Sequence, residues 1–172
     1  MLYDLQGEAS MTPIVGMLYS AVVQNSQRLQ LITKGMSQEE VDFKGPNHTH
    51  NSTAQLLRHI AYVDLNWVYR MKGQPLPVSL QEEYGPMIDA NHRLPMVKGV
   101  SLNTLVSKYE HVIRMLKDTC THITDEDLDK IVTFGHENEK QATLRWGLWH
   151  MADHSRYHQA HINQLRKWYK GM

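Results

Sequence analysis

The sequence has a single cysteine, no excess of either charge and no long apolar run, and each absence excludes a class of protein. One cysteine, Cys120, cannot form an internal disulfide, which favours a reducing, cytoplasmic location. Basic and acidic residues both total 18, so the chain lacks the basic excess typical of nucleic-acid-binding proteins. It has no run of about 18 apolar residues and no basic start before an apolar stretch, so we expect neither a membrane span nor a signal peptide.

The composition that remains is that of a globular protein with unusually many histidines. The length of 172 residues predicts a single domain over residues 1–172, and a hydrophobic fraction of 41% is enough for a packed core. Histidine occurs 11 times. Because histidine is the commonest metal ligand and titrates near neutral pH, the positions of these residues are the first guide to function.

Four long segments carry apolar residues at helical spacing, and no stretch alternates with period two for long enough to predict a strand. The predicted helices cover about 13–34, 52–71, 102–123 and 142–170. Thr12 is a candidate cap for the first of them. Its expected buried stripe consists of Ile14, Leu18, Ala21, Leu29 and Ile32. The expected stripe of the second helix is Leu56, Ile60, Val63 and Trp67, and that of the third is Leu102, Leu105, Tyr109, Val112, Leu116 and Cys120. The pattern predicts an all-α protein with a four-helix bundle.

A long connection joins the second and third predicted helices over residues 73–100. It contains four of the six prolines of the chain. Connections of this length are uncommon in compact domains and often form lids or walls of functional sites. The alternative interpretation is a surface connection packed across one end of the bundle.

The last helix carries four histidines, His150, His154, His158 and His161, within 12 residues. Residues four apart lie on one face of a helix, so two of these imidazoles can converge on one ion. A seam at alternating spacings of four and three runs along this helix and consists of Leu144, Leu148, Met151, Ser155, His158, Ile162, Leu165 and Tyr169. Ideal geometry places His158 about 30° from the centre of this seam, His154 about 70°, His161 about 90° and His150 about 110°. We therefore predict His154 and His158 as the chelating pair, and His150 as the member that faces solvent.

A third ligand is expected from a neighbouring helix, because two imidazoles hold an ion poorly. The second helix offers one histidine, His59, about 85° from the centre of its apolar face. Three imidazoles from two helices leave coordination positions open, which is typical of catalytic rather than structural metal sites. The alternative is that these are hydrogen-bonded core histidines.

Three features give the chain a resemblance to a known family. They are Leu56-Leu-Arg-His59-Ile-Ala61, the segment His150-Met-Ala-Asp-His154-Ser-Arg-Tyr-His158-Gln-Ala-His161-Ile162, and the order of the four helices with Asp125-Glu-Asp-Leu128 before the last. With these features the chain resembles the DinB/YfiT-like metal-binding four-helix bundles, a superfamily of bacterial proteins. The resemblance implies a divalent metal held by His59, His154 and His158, with water at the remaining positions. It further implies an up-down-down-up topology and, frequently, a homodimer.

The resemblance also implies a range of chemistry. Relatives include S-transferases that use low-molecular-weight thiols such as bacillithiol or mycothiol, and a thiol-dependent maleylpyruvate isomerase. Three imidazoles suit Zn, Ni or Fe, so the sequence does not identify the metal. Where many members have Arg-Gly-Gln after the last ligand, this chain has Gln159-Ala-His161. His161, like His150, is therefore a candidate either for a group that hydrogen-bonds to a metal ligand or for an alternative ligand.

Three functional interpretations remain open from the sequence. One is a metal-dependent S-transferase, or a related hydrolase or isomerase, that takes a small thiol and an electrophile. Another is a non-catalytic metal-binding protein of a stress response, which a fourth protein ligand would favour. The third is a helical dimerisation protein whose histidines are incidental; Trp149, which lies off the seam, suggests a dimer interface. No residue stands out as a separate general base, and Cys120 is expected to be buried packing.

Overall fold

A computed structural model describes residues 2, 4–135 and 138–172, and it confirms the all-α four-helix bundle. Its helices are α1 (Pro13–Thr33), α2 (Gln38–Asp42), α3 (Thr53–Met71), α4 (Val78–Tyr84), α5 (Leu102–His122) and α6 (Leu144–Lys170). Strands β1 (Ile131–Phe134) and β2 (Lys140–Thr143) form an antiparallel pair just before α6. The four long helices α1, α3, α5 and α6 build the bundle.

Side-chain contacts fix the helix directions as up-down-down-up. The Asn25 amide of α1 donates to Ala152 O at 2.8 Å, and Arg166 donates to Lys34 O at 3.0 Å, so α1 and α6 are parallel. Asp125, just after α5, accepts from Thr12 before α1, so these two helices are antiparallel. Along α3, His59 meets the middle of α6 and residue 67 meets its beginning, so α3 runs against α6. The predicted topology is therefore confirmed.

The long connection between α3 and α5 follows from this topology. Helices α3 and α5 are packed side by side and run in the same direction, so the chain must return along the bundle before α5 begins. A helix of 19 residues such as α3 is about 28 Å long at 1.5 Å per residue. The connection includes α4, whose last residue, Tyr84, is only 2% exposed. It is thus partly helical and is packed onto the core.

The buried stripe of α1 differs from the prediction. The buried residues are Val15, Gly16, Tyr19, Val22, Ser26, Leu29 and Thr33, and of the five predicted residues only Leu29 belongs to them. Ile14, which the pattern placed inside, is 46% exposed. Glycine, serine and threonine occupy part of the true stripe, and a search for apolar residues does not count them. The seam of α6 was predicted well, with Leu148, Met151, Ser155 and Ile162 all fully buried.

The N-terminus of α1 is capped from a distant part of the chain. Thr12 stands at the N-cap position, but its side chain makes no capping hydrogen bond, so the prediction that it caps α1 was wrong. Instead, Asp125 Oδ1 accepts from the Thr12 hydroxyl at 2.7 Å and from the backbone N–H groups of Ile14 and Val15, both at 3.0 Å. A carboxylate at this position satisfies donors that no intrahelical partner can reach and complements the helix dipole.

Helices α3 and α6 approach each other closely where the hairpin covers them. The indole of Trp67 is 1% exposed and contacts Phe134 of β1 and Trp146 of α6, with ring centroids 5.4 and 5.8 Å away. A Cβ atom at position 147 would lie 2.5 Å from Cζ3 of Trp67. Gly147 is therefore required for the close approach of the indole to α6.

Replacing Gly147 with alanine should destabilise the fold by about 1–2 kcal/mol. The clash with the buried indole costs about 1–3 kcal/mol, and the better helix propensity of alanine offsets up to about 1 kcal/mol of this cost. Urea denaturation of both proteins measures the difference. The double variant Gly147→Ala, Trp67→Leu should be more stable than the sum of the two single effects, because the smaller side chain leaves room for the methyl group. Strict additivity would contradict this explanation.

Within the described residues, no helix combines the length and the apolar character needed to cross a membrane.

Trp149 is 48% exposed and Tyr157, two turns further along α6, is 61% exposed. A homodimer through this face stays a prediction, as does the single-domain boundary of residues 1–172.

Candidate metal centre

Three histidines from two helices meet in the groove between α3 and α6. The Nε2 atom of His154 lies 3.0 Å from Nε2 of His59 and 3.0 Å from Nε2 of His158. One ring nitrogen from each side chain lies within 4.8 Å of the other two. The antiparallel packing of α3 against α6 produces this cluster, since His59 faces a pair whose members are one helical turn apart. We refer to His59, His154 and His158 as the histidine triad.

Burial keeps the triad uncharged. Desolvation lowers the pKa of His59 to about 4, that of His158 to about 3 and that of His154 to about 2. In His154 and His158, the neighbouring imidazoles lower the pKa further, because two nearby positive charges would repel each other. At neutral pH all three rings are therefore neutral, which is the protonation state in which imidazole binds a metal.

The triad cannot satisfy its own hydrogen-bonding groups. The Nδ1 atoms of all three rings are buried and have no hydrogen-bond partner among the described residues. A neutral imidazole has one N–H donor and one acceptor nitrogen, so His154 Nε2 can serve only one of its two neighbours properly. Buried polar groups without partners lower the stability of a fold, so this cluster is less stabilising than apolar side chains in its place would be. A cation that accepts three nitrogen lone pairs would resolve the crowding at the Nε2 atoms.

The donor set fits a divalent transition metal. Three neutral imidazoles suit Zn, Ni or Fe, and three protein ligands leave further coordination positions for small molecules. The group that the described residues form contains neither carboxylate nor thiolate. We therefore find the triad suited to such an ion, although the assignment of these residues as ligands stays a prediction.

The structure separates His150 and His161 from the triad. Neither belongs to the cluster of converging nitrogens. The ring of His150 lies 5.4 Å from that of His154, and the ring of His161 lies 5.7 Å from that of His158. His150 is half-buried and stacks on Trp146 at 4.6 Å, whereas His161 is exposed. The prediction that His150 faces solvent was wrong, because Trp146 and the hairpin cover a face that helix geometry alone leaves open.

An aromatic cavity of about 460 Å³ is lined by His150 but by none of the three triad histidines. Its walls include Trp67, Arg70, Met87, Phe134 and His150. Met87 comes from the long connection, so this segment forms part of the cavity wall, and its role as the wall of a functional site stays a prediction. The guanidinium of Arg70 lies 5.2 Å from the centre of the Trp67 ring and donates from Nε to Thr133 O. The cavity is within the size range of small-molecule sites.

The walls of this cavity were not predictable from the sequence. Trp67 belongs to the predicted apolar stripe of α3, and nothing in that stripe distinguishes a cavity wall from ordinary core. Phe134 lies on a strand of four residues, which is too short for a detectable alternation. A signal was nevertheless present in Ile131-Val-Thr-Phe134, since β-branched and aromatic residues favour strands.

Cys120 takes no part in the site. It is fully buried on the stripe of α5, as predicted. Burial raises the pKa of its thiol to about 12, so it stays protonated at neutral pH and is a poor nucleophile.

Comparison with known proteins agrees with the family that the sequence resembles. A sequence model of the DinB superfamily matches residues 21–162. The chain is also 45% identical over 168 residues to the uncharacterized protein YkkA of Bacillus subtilis (strain 168), and the match covers 97% of this chain and 94% of that protein. The matched region contains all three residues of the triad.

Proposed function

The chain belongs to the DinB superfamily, and we propose that it holds a divalent metal ion on His59, His154 and His158 and transfers a low-molecular-weight thiol to a small electrophile. The observation that carries the proposal is the convergence of three neutral imidazoles, one buried and two half-buried, whose Nδ1 atoms are buried and have no hydrogen-bond partner among the described residues. The exposed position of His161, outside the cluster, favours an open site over one closed by a fourth histidine.

The charge of the triad favours an anionic ligand. Three neutral imidazoles leave both positive charges of a divalent ion uncompensated, and the cluster holds no carboxylate. The buried acid Asp64 on the same helix as His59 is not part of the cluster, and burial holds its pKa well above the ordinary value. A fourth ligand that brings its own negative charge, such as a thiolate, is therefore favoured over a neutral one.

The reaction is a nucleophilic displacement. A bound divalent ion would lower the pKa of a thiol and so supply a thiolate at neutral pH. The sulfur forms a bond to an electrophilic carbon, the leaving group departs with its electron pair, and the thiol proton passes to solvent. Each neutral ring of the triad has one nitrogen free of a proton, and that nitrogen is available to the ion.

The aromatic cavity beside His150 is the proposed site of the electrophile. Trp67 and Phe134 offer flat apolar surfaces, and Arg70 adds a positive charge at the wall. His150 lines this cavity and its ring lies 5.4 Å from that of His154, so His150 connects the cavity to the triad. An electrophile with an aromatic body and an anionic substituent fits these walls.

The proposal is tested with monobromobimane, an alkyl bromide that becomes fluorescent on conjugation. Bacillithiol, mycothiol or glutathione is supplied at pH 7 with protein loaded with Zn, Ni or Fe. At least one pair of metal and thiol should react about tenfold faster or more than without protein, since a thiol of pKa about 8.5 is only a few per cent ionised at that pH.

Two variants make the test specific. His158→Ala should remove the acceleration, whereas Cys120→Ala, which alters a buried thiol outside the site, should keep it. Metal binding without acceleration for any of the thiols would contradict the transferase and support the non-catalytic metal-binding protein. Acceleration that depends on Cys120 would contradict the proposed mechanism.

A further inference from the structure

A second cavity lies on the opposite side of α3, away from the triad. It has a volume of about 450 Å³ and is bounded by α3, α4, α5 and the end of the long connection. Its floor is apolar: Ala61, Val97 and Leu105 are 2%, 6% and 4% exposed. His59 points towards α6, but Arg58, its neighbour in the chain, points into this cavity. The two sites thus share one helix but no lining residue.

The cavity contains a guanidinium without a counterion. Arg58 is half-buried, and its Nε donates to Tyr84 O at 3.1 Å. Among the described residues no carboxylate pairs with it, so the Nη groups are available. Desolvation lowers the pKa of Arg58, which shows that burial makes its charge costly. Guanidinium groups in such surroundings are usually paired, and their planar fork matches a carboxylate.

The remaining charges of the cavity do not neutralise Arg58. Lys108 is already engaged, because its Nζ lies 3.4 Å from Glu83 Oε1 and 3.1 Å from Glu83 O. Lys98 is exposed at the rim. With three basic side chains and one acidic side chain, the lining has a net positive charge. An apolar floor below an unpaired guanidinium is complementary to an amphipathic anion.

We propose that this cavity binds a small organic acid, with its carboxylate on Arg58 and its apolar body on Ala61, Val97 and Leu105. This proposal does not depend on the histidine triad or on any reaction there. The volume accommodates a medium-chain fatty acid or an aryl carboxylate, since small-molecule sites occupy about 300–1,000 Å³.

The test uses octanoate as the probe and amide chemical shifts of the full-length protein as the readout. Octanoate should bind saturably at one site, with the largest shifts at Val97, Leu105 and their neighbours. Octanol, which has the same chain without the charge, should bind about tenfold more weakly or worse, because a charge-assisted hydrogen bond is lost. Equal binding of the two compounds would overturn the proposal, as would shifts centred on the aromatic cavity.

Arg58→Leu should weaken octanoate binding about tenfold or more. Arg70→Leu is the matched control, because Arg70 lies on the same helix and also donates from Nε to a backbone carbonyl at 3.1 Å, yet it lies outside this cavity. It should change octanoate affinity less than twofold. If Arg58→Leu does not fold, Thr104→Trp at the exposed rim provides the test, since the indole would block the cavity. Unchanged affinity in Arg58→Leu or, failing that, in Thr104→Trp would overturn the proposal.

Discussion

Replacing His158 with alanine should abolish stoichiometric metal binding while the bundle stays folded. The substitution leaves two imidazoles, His59 and His154, on different helices, and affinity should fall by more than the 10–100-fold typical of losing an outer-shell partner. Because the apo triad has unsatisfied buried nitrogens, removing one ring should not destabilise the metal-free protein in proportion to its burial. Elemental analysis of protein purified without a histidine tag gives the stoichiometry, and competition with a chelator gives the affinity.

His161→Ala is the matched control for that experiment. His161 lies on the same helix, one turn beyond His158, but is exposed and outside the cluster. Its replacement should leave the metal content unchanged and the affinity within about tenfold. Full metal retention in His158→Ala would show that the ligand set is wrong. Loss of metal in His161→Ala would show that His161 is a fourth ligand, which would support a closed site.

Replacing Asp64 with asparagine should make the stability of the protein less sensitive to rising pH. Asp64 is fully buried between α3 and α5 and accepts one hydrogen bond, from the Tyr109 hydroxyl at 3.0 Å, while its Oδ1 has no partner. Burial raises its pKa well above the ordinary 3.8. Between these two pKa values the folded state binds more protons than the unfolded state. The contribution of protonated Asp64 to the free energy of unfolding is therefore complete below pH about 4, and it is lost as the pH rises through the pKa of Asp64 in the folded state.

The measurement is the free energy of unfolding of both proteins in urea from pH 4 to pH 8. The difference between them should shift in favour of Asp64→Asn by up to about 1.4 kcal/mol per pH unit within that window. Other titrating groups, including the triad, are common to both proteins and cancel. Tyr109→Phe removes a hydrogen bond that favours the ionised form of Asp64, so the pKa of Asp64 should rise further. The free energy of unfolding of this variant should therefore go on falling to a higher pH. A difference that does not vary with pH would show that Asp64 is not titrating.

The parts of the protein that depend on helix periodicity were predictable from the sequence. Most of the predicted residues of the seam of α6 and of the stripe of α5 are buried, so ideal geometry gave these two faces correctly. The same geometry selected His59, His154 and His158 from 11 histidines, and the structure brings these three together. The reason is that the angular position of a side chain on a long, regular helix is fixed by its place in the sequence.

The parts that depend on contacts between distant segments were not predictable. The stripe of α1 was misplaced because Gly16 and Ser26, which carry part of it, are buried by what packs against them rather than by their own hydrophobicity. His150 was expected in solvent because no sequence pattern showed that Trp146 and the hairpin would cover it. The cavity at Arg58 was also missed, since its walls come from four separate segments of the chain.

The cap that Asp125 places on α1 has a consequence for biosynthesis. Residues 13–33 leave the ribosome long before residue 125 does. The first turn of α1 therefore lacks its acceptor, the Asp125 carboxylate, while most of the protein is made. The nascent chain therefore cannot complete the first turn of α1 until residue 125 has been made. A product that stalls before residue 125 would lack the acceptor for the amide groups of Ile14 and Val15, so the first turn of α1 would fray.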